Sequence, residues 1–307
     1  MCLPPPLKPG ARLGVVAPAG PIRAAQLRAG LAYLKERGYR VVEGSHLRDR
    51  RGYLAGTDAG RAADLNRAMA DRSLDAVVFA RGGYGSARFL DRLDFSPLRR
   101  RPKLFLGYSD ITAFYAALQQ STGIPGFYGP MVLNFNAPGR EFHEGSLWRV
   151  LERRPGWTRF RFSRRGVVRG GVASGRLIGG CLSLLVSLVG TKYDIDTRGA
   201  ILFWEEVDEE PYKIDRMLNH LRMAGKLARL RGMIVGKLHR CGPRPGTRAL
   251  SLQEILKDHL AGTSFPVVTG FPAGHAPGKV TLPLGLPARL DTAAGDLRLL
   301  VPPGIRE

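Results

Sequence analysis

Short runs of wholly apolar residues alternate with longer amphipathic stretches along the first third of this chain. Arg12-Leu-Gly-Val-Val-Ala-Pro-Ala-Gly20 is a buried-strand run closed by a Pro/Gly turn, and a helix follows with Leu27, Leu31 and Leu34 on one face, ending at Gly38. Tyr39–Glu43 reads as a second strand. Thr57-Asp58 opens a helix whose inner face carries Ala62, Leu65, Ala68 and Met69. Asp75–Ala80 is a third strand and leads into Arg81-Gly-Gly-Tyr-Gly-Ser86, where a helix begins that bears Phe89 and Leu90 and ends before Pro97. Lys103-Leu-Phe-Leu-Gly-Tyr-Ser-Asp110 is a fourth strand broken by an abrupt turn, then a helix with Ile111, Phe114, Tyr115 and Leu118 at helical spacing. Strands alternating with helices predict a parallel sheet covered on both faces. Such sheets place their sites in the loops at the carboxyl ends of the strands, where both the 81–86 loop and the Ser109 turn fall.

Past Tyr128 the pattern changes. His143–Arg154 reads as a helix, Pro155-Gly156 breaks it, and Trp157–Phe162 alternates as an edge strand does. Val172–Leu177 is a strand, the apolar run from Gly179-Gly180 to Gly190 a buried helix, and Ala200–Trp204 a strand running into Glu205-Glu-Val-Asp-Glu-Glu210. Helices are expected at Tyr212–Ala224 and Leu250–His259, strands at Gly232–Gly236 and Pro266–Thr269, and a hairpin over Val280–Val301. The domains are therefore drawn as 1–154 and 171–307, with the crossing at 155–170.

Composition narrows the class. With 44% apolar and 24% charged residues the chain is globular. No apolar run reaches the roughly 20 residues of a spanning helix, and the N-terminus has neither a signal peptide's nor an anchor's pattern. Cys2, Cys181 and Cys241 are odd in number and widely separated, which argues against a disulfide framework and for a reducing cytoplasm. The net charge of +21 raises nucleic acid as a partner. The excess, however, is arginine dispersed along the whole chain without a nucleic-acid-binding signature, so an anionic substrate is the better use for part of it.

Several positions carry candidate chemistry, each with a plainer reading beside it. Ser109, at the tip of a strand-turn-helix, stands as a nucleophile on its elbow does, yet Gly-x-Ser-x-Gly is not completed because Ile111 occupies the last position; a helix-capping serine is the alternative. The Arg81–Gly85 loop offers unobstructed backbone N–H groups for an anion, or is a tight turn. Arg81 is suited to a bidentate grip on a carboxylate, or is a solvated loop residue. His275, in the small-residue loop Gly274-His-Ala-Pro-Gly278, is a better general-base candidate than His46, His143, His220, His239 or His259. Glu205 ends a very apolar strand and could orient a histidine, or could belong to a solvated acidic loop with Glu206, Asp208, Glu209 and Glu210. Cys181 is a helix-terminal thiolate or a small core residue. Neither zinc nor calcium ligand spacing is present.

Taken in order, Val16-Ala-Pro-Ala-Gly20, Ala80-Arg-Gly-Gly-Tyr-Gly-Ser86, Gly107-Tyr-Ser-Asp-Ile-Thr-Ala113, Gly129-Pro-Met131, Leu188-Val-Gly-Thr191, Ile201-Leu-Phe-Trp-Glu-Glu-Val207, Asp215-Arg-Met-Leu218, Gly274-His275 and Val280-Thr-Leu-Pro-Leu-Gly285 resemble the LD-carboxypeptidase family of serine peptidases. That family includes muramoyltetrapeptide carboxypeptidases and microcin-immunity peptidases, and its serine turn does not need the final glycine. The resemblance implies an α/β fold: a parallel-sheet N-terminal domain carrying the nucleophile elbow, a smaller strand-rich C-terminal domain, and an active site in the cleft between them. It implies a catalytic triad of Ser109, Glu205 and His275, with an oxyanion hole from the N–H groups of Gly83 and Asp110 and with Gly82 the close alternative to Gly83. Arg81 and Gly82 become the substrate-binding candidates. Cys181 departs from the asparagine common among relatives.

The expectation is a cytoplasmic enzyme of peptidoglycan recycling, without metal or cofactor, that releases terminal D-alanine from muropeptide tetrapeptides. Family habit suggests a homodimer, and neither nucleic acid nor membrane is expected as a partner. A microcin-type immunity peptidase acting on a peptidyl-nucleotide conjugate is the alternative within the family. An arginine-rich nucleic-acid binder and an α/β-hydrolase esterase are the alternatives outside it.

Overall fold

The computed structural model describes residues 3–137 and 139–301, so Cys2 and the residues beyond 301 of the expected second domain lie outside the described residues. The chain forms two compact units. One comprises Met1–Trp157 with Pro277–Gly285, the other Thr158–Ala276 with the stretch beginning at Leu286. The fold is a two-domain α/β fold with mixed sheets.

The first unit follows the alternation of the sequence: β1 (Arg12–Val16), α1 (Ala24–Glu36), β2 (Arg40–Glu43), α2 (Asp58–Ala70), β3 (Ala76–Phe79), α3 (Ser96–Arg100), β4 (Leu104–Gly107), α4 (Ile111–Thr122), β5 (Gly126–Tyr128) and α5 (Glu144–Leu151). Thr57 caps α2 by accepting the Gly60 N–H, and Gly38 takes a left-handed φ of 84° just beyond α1. Strands β1 to β5 are parallel in the order β5-β4-β3-β1-β2. A sixth strand, Leu282–Leu284 (β12 in chain order), pairs antiparallel with β5. The segment after Gly85 is not the α-helix its apolar spacing predicts but a 3-10 helix over Ser86–Arg92.

Helix α4 runs on from the Ser109 turn with most of its side chains buried. Ile111, Phe114, Tyr115 and Leu118 are all buried, each contributing about 1.5–3 kcal/mol by leaving water. The Tyr115 hydroxyl lies 2.9–3.1 Å from the carbonyls of Phe105, Gly107 and Phe127, which anchors α4 to β4 and β5. Gly126 has to be glycine, because a Cβ there would lie 2.4 Å from the Tyr115 ring.

The second unit contains β6 (Arg159–Arg161), β7 (Val167–Arg169), β8 (Val172–Cys181), α6 (Leu182–Leu188), β9 (Ala200–Glu205), α7 (Pro211–Met223), β10 (Gly232–Gly236), α8 (Leu252–His259), β11 (Val267–Phe271), β13 (Pro287–Asp291) and β14 (Asp296–Leu299). Its sheet runs β6-β14-β13-β8-β9-β10-β11-β7. The central four strands are parallel, and antiparallel strands flank them on both sides. Ile178, Leu202, Trp204, Met233 and Val235 pack with Leu218 of α7 and Ile255 of α8 into one buried cluster.

Two expectations change here. Gly179 and Gly180, read as the start of a helix, are the end of β8, and the helix begins only at Leu182. A Cβ on Gly179 would stand 1.7 Å from the Phe203 carbonyl oxygen, so this glycine marks strand against strand at close approach. The terminal hairpin is confined to β13 and β14, because Leu282–Leu284 leaves it to join the first unit's sheet.

Candidate active site

In the first unit, β4 ends at Gly107, where a Cβ would lie 2.8 Å from the Phe79 ring. The chain then turns through Ser109, which has φ 66°, a left-handed conformation costing a non-glycine residue about 1–3 kcal/mol. Ile111 belongs to the core, fully buried beneath the turn, so a glycine at that position has no steric purpose here. The Ser109 N–H donates to the Tyr128 hydroxyl at 3.2 Å.

Asp110 does not cap α4, although its charge sits at the start of that helix. Its carboxylate turns instead to the glycine loop, accepting the Ser86 N–H at 2.8 Å and the Gly85 N–H at 3.3 Å. The Ser86 hydroxyl returns a hydrogen bond to the Asp110 carbonyl at 2.6 Å. Burial raises the Asp110 carboxyl above the usual carboxylate range, and the hydrogen bonds from Ser86 and Gly85 oppose that rise. The loop therefore lies against the serine turn. A Cβ on Gly82 would be 3.0 Å from the Ser109 Cβ and 3.1 Å from its Oγ. Among the described residues, the backbone N–H groups of Gly82, Gly83 and Asp110 donate to no protein acceptor. Arg81 is exposed, and its Nη1 donates to the Pro21 carbonyl at 2.9 Å.

In the second unit, the solvated-loop reading of the acidic run fails at its first two members. Glu205 and Glu206 are 0% and 2% exposed. Glu205 Oε2 lies 2.7 Å from His275 Nδ1 and also accepts the His275 backbone N–H at 2.9 Å. Gly274 makes this approach possible: a Cβ there would meet the same Oε2 at 2.5 Å, and its φ of +117° suits glycine alone. With the ring proton on Nδ1 facing the carboxylate, the basic lone pair of the imidazole is on Nε2. Glu206 is a structural neighbour, accepting N–H bonds from Ser183 at 2.7 Å and Val207 at 3.0 Å and the Cys181 thiol at 3.3 Å. Burial pushes the Glu206 carboxyl up, against those backbone bonds. Cys181 is buried, and burial followed by the charges of Glu205 and Glu206 drives its thiol well above the ordinary range, so it is no thiolate.

Three of the other candidate histidines serve local structure. His46 pairs with Asp49, His143 accepts the Ser146 N–H to cap α5, and His259 lies 2.5 Å from Asp215. Among the described residues no cluster of three or more His, Cys, Asp or Glu side chains suits a metal ion, and no helix is long and apolar enough to cross a membrane.

Three neighbours of these positions escaped the sequence reading: Tyr128, Ser86 and Arg61. Arg61 left a signal, since it stands four residues before Leu65 and seven before Ala68 and so falls on the inner face of α2. Its side chain is fully buried and donates to the carbonyls of Pro18 and Gly85 and to Asp58. Tyr128 and Ser86 left none, because their partners come from elsewhere in the chain.

Comparison with known proteins adds to this geometry. The N-terminal domain model of LD-carboxypeptidases matches residues 13–129, and the C-terminal domain model matches residues 174–290. A probable murein peptide carboxypeptidase of Bacillus subtilis is 40% identical over 290 residues, covering 94% of this chain and 91% of that protein. The crystal structure of a muramoyltetrapeptide carboxypeptidase from Oxalobacter formigenes superposes with a TM-score of 0.83 at 30% identity, over 94% of this chain and 98% of that one. MccF, the microcin C7 self-immunity protein, in complex with glutamyl sulfamoyl guanosine, gives a TM-score of 0.88 at 24% identity, over 98% and 99% of the two chains, a likeness of fold.

Proposed function

The chain belongs to the LD-carboxypeptidase family and is a carboxypeptidase, and we propose that it hydrolyses the L,D-peptide bond that releases terminal D-alanine from muropeptide tetrapeptides. The observation that carries this reading is the buried Glu205 carboxylate, which receives both the ring and the backbone N–H of His275. A carboxylate so placed fixes the tautomer of the imidazole, orients it, and stabilises the imidazolium formed when it takes a proton.

In this reading the Ser109 Oγ attacks the scissile carbonyl while its proton passes to His275 Nε2. The tetrahedral oxyanion is met by the N–H groups of Gly83 and Asp110, with Gly82 the alternative to Gly83; removing one such donor in comparable sites costs about 3 kcal/mol of transition-state stabilisation. Collapse breaks the C–N bond, and His275 returns the proton to the departing D-alanine amine. Water then attacks the acyl-serine, again with His275 as base. Arg81, beyond its bond to Pro21, has donors left for the terminal carboxylate of the substrate, which would account for exopeptidase action. The mechanism requires Ser109 of the first unit and His275 of the second to act on one substrate.

The same machinery in a relative with a different pocket would cleave a peptidyl-nucleotide conjugate. The connection between α6 and β9 is short and held down by Lys226, which donates to the Ile195 carbonyl at 3.0 Å and pairs with Asp194 at 2.8 Å. It offers little chain for gripping a nucleotide. The decisive experiment is mass spectrometry of a muramoyl tetrapeptide and of an aminoacyl sulfamoyl nucleoside, each incubated with the protein and with Ser109→Ala. D-Alanine release by the wild type alone is expected. Release by both proteins, or cleavage of the nucleoside conjugate only, would overturn the reading.

A further inference from the structure

Gly85 is held from both sides by buried charge. The Arg61 Nη1 donates to its carbonyl at 2.9 Å, while the Asp110 carboxylate accepts its N–H at 3.3 Å and that of Ser86 at 2.8 Å. Arg61 and Asp110 are each 1% exposed. Arg61 also donates to the carbonyl of Pro18, in the loop after β1, and the neighbouring Gly20 N–H donates to the Gly82 carbonyl at 3.0 Å. Asp58 accepts from both Arg61 and the more exposed Arg88, which fixes the guanidinium from behind, and the Phe89 ring lies 5.0 Å from its central carbon. Three loops at the carboxyl ends of β1, β3 and β4 thus converge on one buried cation and one buried anion.

Folding alone does not call for this arrangement. Buried ionic groups cost desolvation that apolar side chains of similar size avoid, and the Arg61 Nε is buried without an acceptor among the described residues. What the two charges do accomplish is to set the backbone of the glycine loop. Gly83 and Gly85 sit at φ 110° and 127°, and a Cβ on Gly85 would strike Arg61 Nη1 at 2.6 Å. Left to itself, a run of three glycines in five residues would sample many conformations.

We propose that the Arg61 guanidinium and the Asp110 carboxylate are positioning residues that hold the Gly82–Gly85 backbone in place against the Ser109 turn, so that its N–H groups are already aimed when the oxyanion forms. This rests on the oxyanion role assigned to that loop above. Neither side chain touches the substrate; each acts through the loop. Preorganised donors stabilise developing charge more than ground-state substrate, so loosening them lowers kcat and leaves KM nearly unchanged.

The test is steady-state hydrolysis of the L,D-tetrapeptide by wild type, Arg61→Gln, Arg61→Lys and Ser86→Ala, with affinities for a peptidyl boronic acid and for the tripeptide product. Arg61→Gln should lower kcat roughly 10- to 100-fold with KM within about twofold, and weaken boronate binding by a similar factor without changing product affinity. Arg61→Lys should recover part of the loss, and Ser86→Ala, which deletes only the hydroxyl bonded to the Asp110 carbonyl, should show the same signature at about threefold. Should Arg61→Gln fail to fold, Arg61→Lys, which keeps the charge but loses the guanidinium that reaches Pro18 and Gly85 together, decides by the same split between kcat and KM. A wild type without tetrapeptide turnover defeats the function proposed above. An active wild type whose Arg61→Gln and Ser86→Ala variants keep kcat, or lose only KM, defeats the positioning role alone.

Discussion

The two ends of the proposed machinery solve the same problem by opposite means. At the Ser109 turn the backbone is strained and the side chain is left accessible: a non-glycine residue sits at φ 66° and is only half-buried. At the Glu205–His275 pair the acid is wholly buried, and the glycine beside it, at φ +117°, takes a conformation that costs glycine nothing. A nucleophile has to protrude, so its region stores strain in the main chain. An orienting acid has to hold its charge away from water, so its region invests in burial and directed hydrogen bonds. The first can be relieved by a small substitution without harming the fold; the second cannot lose its charge without losing the tautomer it selects.

The largest effect is expected from Glu205→Gln. The amide occupies the same space but cannot receive both N–H groups of His275 with a full negative charge, and kcat is expected to fall by about 10⁴-fold, measured as D-alanine release. A variant retaining a tenth of wild-type turnover would mean that His275 needs no ionised partner. A smaller effect, of the opposite kind, is expected at the turn. Ser109→Gly should be about 1 kcal/mol more stable than Ser109→Ala, read from urea midpoints, with both variants inactive. Equal midpoints would show that the left-handed serine stores no strain. The smallest effect is a protection. Because burial and the neighbouring carboxylates keep the Cys181 thiol protonated, iodoacetamide at pH 8 should leave it unmodified in the native protein and alkylate it after unfolding, as followed by peptide mass spectrometry. Rapid native labelling would contradict the closed character of the second region.

How far these regions could be read in advance differs for a physical reason. The Ser109 turn was legible because an apolar strand, a glycine and an apolar-faced helix follow one another within sixteen residues, Lys103–Leu118, and local spacing carries that information. The bond between Glu205 and His275 spans 70 positions, and only the family resemblance joined the two residues. The burial of Glu206 was not legible at all. In sequence it is one acid in an acidic run, whereas in space it accepts bonds from Ser183 and Cys181 at the start of α6. Gly179 illustrates the converse: a glycine pair before an apolar run suits a helix start, and only the strand lying 1.7 Å from a would-be Cβ turns it into part of β8.

By itself, the sequence determined the alternating α/β order of the first unit, the existence of a serine turn and a glycine loop at the ends of neighbouring strands, and membership of a family whose motifs recur in order along the chain. Periodicity and turn chemistry are properties of contiguous residues, so they survive without coordinates. Tertiary structure alone decided that Asp110 turns from its own helix to clamp Gly85 and Ser86, that Arg61 grips the same glycine from the other side, that Leu282–Leu284 returns to the first sheet, and that one carboxylate oxygen holds two N–H groups of His275. Each of these joins residues dozens of positions apart or more, and the free energy of such contacts depends on which surfaces the packed core brings within reach, which no local pattern encodes.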